Sequence, residues 1–351
     1  MSLVAAMSVQ LGSLDLEVSL TLSSDETVVL LGPNGAGKTT ALRTLAGLIA
    51  LDAGWIVLDE ETLDDPAGGV FVAAERRPVG VVFQDYLLFP HMSALENVAF
   101  GLRARGVRRG EARTRAAQWL DRVGLADRAS SRPSSLSGGQ AQRVALGRAL
   151  AIEPRMLLLD EPLAALDAST RVELRRALRQ VLRSFGGVRL MVTHDPIEAI
   201  ALADRVIVLE SGRISQEGTP AELRERPRTR YVADLVGVNL LAGYASGRQV
   251  TISDGGGELT IAEPADGDVL VVIAPHAVAL FHDAPSGSPR NAWEGTVAHV
   301  DPEGDRVRVG VAGPVPITAE VTRAAVAELT LTEGSSVWVS VKATEITVQP
   351  A

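Results

Sequence analysis

Eight residues constrain this chain more than any others: Gly32-Pro33-Asn34-Gly35-Ala36-Gly37-Lys38-Thr39. They stand between two segments of opposite character. Thr27 to Leu31 (TVVLL) is a β-branched and leucine-rich run that reads as a buried strand, and Thr40 to Leu48 reads as a helix. A G-x-x-x-x-G-K-[ST] pattern joining strand to helix predicts a phosphate-binding loop. The glycines let backbone N–H groups turn inward, and the helix N-terminus, through Thr40, adds a positive partial charge. Lys38 is then expected to reach β- and γ-phosphates and Thr39 to ligate Mg²⁺. The competing reading is a glycine-rich turn followed by a chance lysine.

At 351 residues the chain predicts two domains, or three, and 46% hydrophobic residues suffice for buried cores. A formal net charge of −9 argues against a nucleic-acid partner, which needs a basic face. With no cysteine, disulfides, thiolate metal sites and thiol catalysis are excluded. The opening MSLVAAMSVQLGS has no basic segment or sustained apolar core, so no signal peptide is expected. No stretch reaches about 18 apolar residues. Membrane association is expected only through a partner.

Val79–Phe83, Met156–Leu159, Leu190–Thr193 and Val206–Leu209 are further short apolar runs between helical stretches. They predict strands buried on both faces, as in a parallel α/β sheet. From Ala94 to about Arg132 the chain is rich in Ala, Arg, Leu and Glu and reads as helices. From Gln249 onward, short alternating runs (VTI, ELTIA, VLVVIA, GTVAHV, RVRVGVA, SVWVSVKA) separated by Gly, Asp and Pro predict an all-β barrel or sandwich. His282–Pro289 reads as a loop dividing that region. The expected organisation is an α/β nucleotide-binding domain over 1–235, with a helical subdomain at about 90–135, then a β-barrel domain over 236–351.

Met156-Leu157-Leu158-Leu159-Asp160-Glu161 reads as an apolar strand ending in two acids. Asp160 is placed to hold Mg²⁺, and Glu161 to act as general base on the water attacking a γ-phosphate. Solvated acids at a strand tip are the plainer alternative. Upstream lies Leu136-Ser137-Gly138-Gly139-Gln140, a Ser-Gly-Gly turn at a helix start and a second anion site.

This set resembles the ATP-binding subunits of ABC transporters, α/β P-loop NTPases with a helical subdomain. LSGGQ matches the family signature. Gln84 in VVFQD matches its Q-loop, His194 in MVTHD its switch histidine, and Asp167 in Ala164-Ala165-Leu166-Asp167 its D-loop. The resemblance implies a homodimer in which ATP lies between Lys38 of one copy and Ser137, Gly138, Gly139 and Gln140 of the other. It implies that Gln84 senses Mg²⁺ and the attacking water, that His194 contacts the γ-phosphate, and that Asp167 lies at the nucleotide. The family usually stacks an aromatic ring near the N-terminus on adenine. This chain has no aromatic residue before Trp55, and its N-terminal strand reads as short and aliphatic (Val9, Leu11, Leu14), so the base packs on aliphatic groups or elsewhere.

The string LFPHMSALENVAFGL resembles importer subunits, whose segment after the Q-loop docks on integral-membrane permease subunits; here Leu87, Leu88 and Phe89 fill that surface or their own core. AAERRPVGVVFQDYLLFPH looks most like molybdate importers. Ser288-Pro289-Arg290-Asn291 followed by AWEGTVAHV resembles the opening of the molybdate-binding (Mop/TOBE) OB-like barrel, usually Ser-Ala-Arg-Asn, over about 288–349. Val321-Thr322 and Lys342-Ala343 fit the same module. Ser288, Arg290, Thr322 and Lys342 are the residue types that hold a tetrahedral dianion, so molybdate is expected as a regulatory ligand shared between two modules. Pro289, in place of the usual Ala, removes one backbone donor. A barrel that only braces the dimer is the alternative. The implied function is ATP hydrolysis coupled to molybdate uptake, peripheral at the cytoplasmic face of the membrane, with a periplasmic or extracellular cargo-binding protein as indirect partner. An importer for sulfate, iron or a sugar, a soluble ABC ATPase and an oxyanion sensor are the competing readings.

Overall fold

The chain opens with a hairpin, β1 (Ser2–Leu11) and β2 (Leu14–Ser23), turned by Gly12 at φ 61°. Leu3, Ala5, Met7 and Val9 of β1, and Leu16, Val18, Leu20 and Leu22 of β2, face inward in strict alternation. Such period-two burial is what a sheet covered on one face demands. The strands run far beyond the short one expected, because serines and alanines dilute the apolar signal of β1. β3 (Thr27–Leu31), buried at all five positions, then leads through the glycine loop into α1 (Lys38–Leu45). β4 (Ala53–Leu58), β5 (Glu61–Asp65) and β6 (Val70–Phe71) complete an antiparallel sheet in the order β2-β1-β4-β5-β6.

β7 (Val79–Val82) precedes three helices, α2 (Ala94–Ala104), α3 (Arg109–Arg122) and α4 (Gly138–Ala151). Then come β8 (Met156–Asp160), α5 (Ala168–Ser184), β9 (Val188–Thr193), α6 (Pro196–Leu202), β10 (Arg205–Glu210) and β11 (Arg213–Gly218). The second sheet has the order β11-β10-β3-β9-β8-β7, parallel throughout except for β11. Every residue of β8 and β9 is buried, the continuous burial expected of a parallel sheet covered on both faces.

One core joins the inner faces of the two sheets to α1, through residues such as Leu42 and Leu45. Arg77, fully buried, fixes the far end of that helix. Its Nη1 donates to the carbonyls of Thr44 (2.9 Å) and Leu45 (3.0 Å), its Nε to Val72 O (2.7 Å), and its Nη2 meets Asp64 Oδ2 at 3.2 Å. A cation on the last carbonyls of a helix satisfies both their hydrogen bonding and the helix dipole. α2, α3 and α4 form a separate helical core around Val98, Ala116, Leu120 and Val144.

This computed structural model describes residues 1–164 and 168–351, which fall into two compact units, Met1–Pro220 and Ala221–Ala351. The second unit begins with α7 (Pro220–Glu225, entering at its second residue) and α8 (Arg230–Val236). It continues as strands β12 (Asn239–Ile252), β13 (Glu258–Ile273), β14 (Ala279–Phe281), β15 (Asn291–Glu303), β16 (Arg306–Ala312) and β17 (Ile317–Thr322). Helix α9 (Arg323–Glu328) precedes β18 (Ser336–Val341) and β19 (Ile346–Pro350). Its sheets, β12-β13-β19 and β14-β18-β15-β16-β17, curl around one aliphatic core into an OB-like all-β domain.

The second unit repeats itself. Asn239 opens β12 and pairs with Ile273; Asn291 opens β15 and pairs with Val341. Each asparagine amide donates to the carbonyl opposite it, at 3.1 and 3.2 Å. Each also clamps a strand of the other half: Asn239 exchanges two bonds with Thr318, and Asn291 two with Thr260. The halves exchange their last strands as well, since β14 pairs with β18 and β19 with β13.

Candidate nucleotide site

Parallel strands deliver their following residues to one edge. In register, Leu31 of β3 lies beside Thr193 of β9, Val192 beside Asp160 of β8, and Leu159 beside Val82 of β7. The residues just past these ends are Gly32, His194, Glu161 and, two residues beyond β7, Gln84. Four separate sequence motifs therefore converge on the carboxyl edge of the sheet, where open α/β folds bind ligands.

The glycines of the loop do different jobs. A Cβ on Gly32 would lie 2.1 Å from the Leu209 carbonyl oxygen of β10, so this position admits no side chain. Gly37, at φ 103°, is pressed against Leu14 and Leu16 of the opening hairpin. Gly35, at φ 80°, faces open space and is needed for its backbone angle alone. Lys38 is buried at the start of α1, and its Nζ donates to the carbonyls of Gly32 (2.7 Å) and Pro33 (2.8 Å). Burial lowers its pKa, opposed by the charges of Glu161 and Asp160.

Asp160 is buried, and its Oδ1 accepts from Thr39 Oγ1 at 3.3 Å. Its pKa is raised, chiefly by burial; the Thr39 bond opposes this and the Glu161 charge adds to it. Two hard oxygen donors beside a buried ammonium suit Mg²⁺ bridged to phosphate, since this ion takes one or two protein oxygens and keeps waters and phosphates as its other ligands. Without a cation, burial on folding raises the Asp160 pKa and so disfavours its charged form relative to the unfolded chain. Its contribution to stability thus falls as pH rises from the ordinary carboxylate range through the raised value. Asp160→Asn is expected to raise the Tm of the nucleotide-free first unit at pH 7–8, at about 2–4 °C per kcal/mol. The gain should shrink towards pH 4, and Mg²⁺-dependent hydrolysis should disappear. Calorimetry at several pH values checks the first point and phosphate release the second.

Glu161 has φ 44°, an angle a non-glycine residue adopts at a cost of about 1–2 kcal/mol. Its N–H donates to Val192 O at 2.9 Å, which ties it to β9. Its Oε1 lies 3.0 Å from Nδ1 of His194, a half-exposed side chain. The carboxylate thus projects at the sheet edge with a histidine in contact, an arrangement able to take a proton from a water there.

Ser137 and Gln140 form a reciprocal cap at the start of α4: Ser137 Oγ accepts from Gln140 N at 3.3 Å, and Gln140 Oε1 accepts from Ser137 N at 3.0 Å. Ser137 and Gly138 are exposed, and Gly139 is buried. Among the described residues no hydrogen bond or ion pair joins this turn to the phosphate loop of the same copy. Thr40 lies within α1. Ala165, Leu166 and Asp167, the last three residues of the expected D-loop, lie outside the described residues.

In the second unit, Ser288, Arg290, Thr322 and Lys342 are all exposed. Arg290 and Lys342 flank the Asn291–Val341 pair at one end of β15. Thr322 caps α9 through a 3.2 Å bond from Ala325 N and pairs with Arg306, which lies opposite Glu303 at the far end of β15. Arg148 and Asn239 escape a motif-based reading, and Asn291, though it stands in the Ser-Pro-Arg-Asn string, is not read there as a clamp. The only signal for Arg148 is an arginine beside the buried stripe of α4.

The ABC transporter family model matches residues 16–164, and the TOBE domain model matches 287–348. The molybdenum import ATP-binding protein ModC of Mycobacterium tuberculosis is 42% identical over 348 residues, 96% of this chain and 94% of that protein. This chain belongs to the ATP-binding subunits of ABC importers. The sulfate/thiosulfate import ATP-binding protein CysA of Bradyrhizobium diazoefficiens is 46% identical over 84% of each chain. The dimeric, post-hydrolysis structure of the ATP-binding cassette MJ0796 bound to ADP and Pi superposes with a TM-score of 0.52 at 31% identity, covering 63% of this chain and 99% of that one. As an ABC ATPase, the chain is of a family that binds and hydrolyses ATP.

Proposed function

We propose that this chain is the ATP-hydrolysing motor of an importer for a tetrahedral oxyanion, with molybdate as the cargo. The observation that carries this reading is a molybdenum-importer relative matching over 96% of the chain, through both units. The sulfate/thiosulfate relative favours a second cargo of the same chemistry, a tetrahedral dianion. In this reading two copies face each other, as in the dimeric neighbour. The N–H groups of Asn34 to Thr40, with Gly32 and Pro33 shaping the loop and Lys38 adding its ammonium, hold the phosphates of one copy. Ser137, Gly138, Gly139 and Gln140 of the second copy close over them, and Asp167 lies nearby.

Thr39 and Asp160, with Gln84 nearby, are the residues that would hold Mg²⁺, which would supply positive charge to the phosphates. Glu161 takes the proton of the attacking water, and His194 beside it contacts the γ-phosphate. Splitting the site between copies lets hydrolysis separate them, because phosphoryl transfer depends on positioning and charge stabilisation. Among the described residues no helix is long and apolar enough to cross a membrane. The chain acts on membrane permease subunits from the cytoplasmic face, through the segment after Gln84.

Removing the chain from cells should abolish uptake of radiolabelled molybdate and leave sulfate uptake unchanged; the reverse result would assign it to sulfate. Titrating the full chain with molybdate should release heat that Arg290→Ala removes. No heat with molybdate or sulfate would leave the second unit as a brace for the dimer.

A further inference from the structure

The last turn of α4 packs on the segment that follows β7. Tyr86 and Leu87 both have positive φ, 57° and 44°. Two successive side-chain-bearing residues in the left-handed region are both disfavoured, so something must hold them. Arg148 of α4 does so: its Nη1 donates to Leu87 O and its Nη2 to Tyr86 O, both at 2.7 Å. The same guanidinium lies 5.7 Å from the ring of Phe89, a cation–π contact. Phe89 is in turn held from α2, where Asn97 Oδ1 accepts from its N–H at 2.8 Å and Nδ2 donates to its carbonyl at 3.2 Å. The segment just after Gln84 is thus bolted to the helical layer. α4 spans 14 residues, about 21 Å, and its other end is the Ser137 cap.

We propose that Arg148 is a positioning residue: a bidentate strut that makes the Gln84–Phe89 segment and the Ser137 turn move as one body through α4. A single planar fork spanning two adjacent carbonyls transmits displacement in a way that a flexible ammonium does not. Leu87, 55% exposed, sits on this strut, so a force applied there reaches the start of α4. The inference rests on reading Gln84 and Ser137 as nucleotide contacts.

The test compares wild type, Arg148→Ala and Arg148→Lys by hydrogen exchange with and without Mg²⁺-AMP-PNP, and by ATPase kinetics. In wild type, nucleotide should slow exchange at 32–39, 137–141 and 86–89 together. Arg148→Ala should keep the slowing at 32–39 and 137–141 and lose it at 86–89. Its kcat should fall about tenfold, within the range that small misplacements cost, with KM changed less than about twofold. Arg148→Lys, which keeps charge and helix propensity, should be intermediate. Slowing at 86–89 in Arg148→Ala equal to wild type, or an unchanged kcat, overturns the proposal. Absence of protection at 32–39 in wild type would instead overturn the reading of the nucleotide site.

Discussion

Glu161→Gln leaves ATP binding intact and lowers turnover by about 10²–10⁴-fold, the span that loss of a general base produces. The amide keeps the shape of the side chain and can still meet His194 Nδ1, which lies 3.0 Å from Oε1. It cannot take a proton. The backbone should be undisturbed, because the positive φ of Glu161 is held by its N–H bond to Val192, not by its carboxylate. Fluorescent nucleotide binding at wild-type strength together with lost phosphate release is the expected pair of results. A variant that still hydrolyses ATP at the wild-type steady-state rate would remove Glu161 from the role of base. The paired acids make the distinction sharp. Asp160 is buried and bonded to Thr39, so it is placed for a cation, whereas Glu161 projects at the edge. Asp160→Asn and Glu161→Gln should thus fail differently, the first in its Mg²⁺ dependence and the second in turnover alone.

Gly32→Ala is expected to destabilise the first unit by about 3 kcal/mol or more, since overpacking against rigid surroundings is among the few mechanisms that reach such values. The new Cβ would stand 2.1 Å from a carbonyl oxygen of β10, and a strand inside a parallel sheet cannot step back. Gly35→Ala, three residues on, meets nothing within 4 Å and carries only the cost of its positive φ, about 1–2 kcal/mol. Thermal unfolding of both variants measures the contrast. Equal losses would mean that the loop glycines serve backbone angle alone and that the Leu209 contact is immaterial.

The phosphate loop was legible because its residue types and spacing encode a local structure that needs no distant partner. The parallel strands were legible because burial on both faces leaves unbroken apolar runs. Convergence of Gln84, Glu161 and His194 with the loop follows from strand order, which no single motif carries; only the resemblance of the whole set implied it. The hairpin at the start is longer than its sequence signals, because Ser8 and the alanines of β1 weaken its alternation. Arg148 was illegible, because its two acceptors are backbone carbonyls some sixty residues away, and carbonyls have no letter in a sequence. The repeat in the second unit was hidden for a similar reason. Asn239 stands in no motif, and Asn291 stands in one that does not name its partner; the partners, Thr318 and Thr260, lie in opposite halves.

That crossed arrangement has a consequence for how the second unit can be taken apart. Residues 287–348, the span matched as a TOBE domain, do not contain the strand against which their own last segment folds, for β19 lies beside β13. Excised alone, that span would present an unpaired strand and an unclamped Asn291, and would seek a second molecule to supply both. Conversely, a chain opened in the 282–289 loop would yield two incomplete pieces, each carrying the other's missing strand. Such pieces are natural complementing fragments. The loop that looks like a divider between modules is a tether between two parts that are interlocked with or without it.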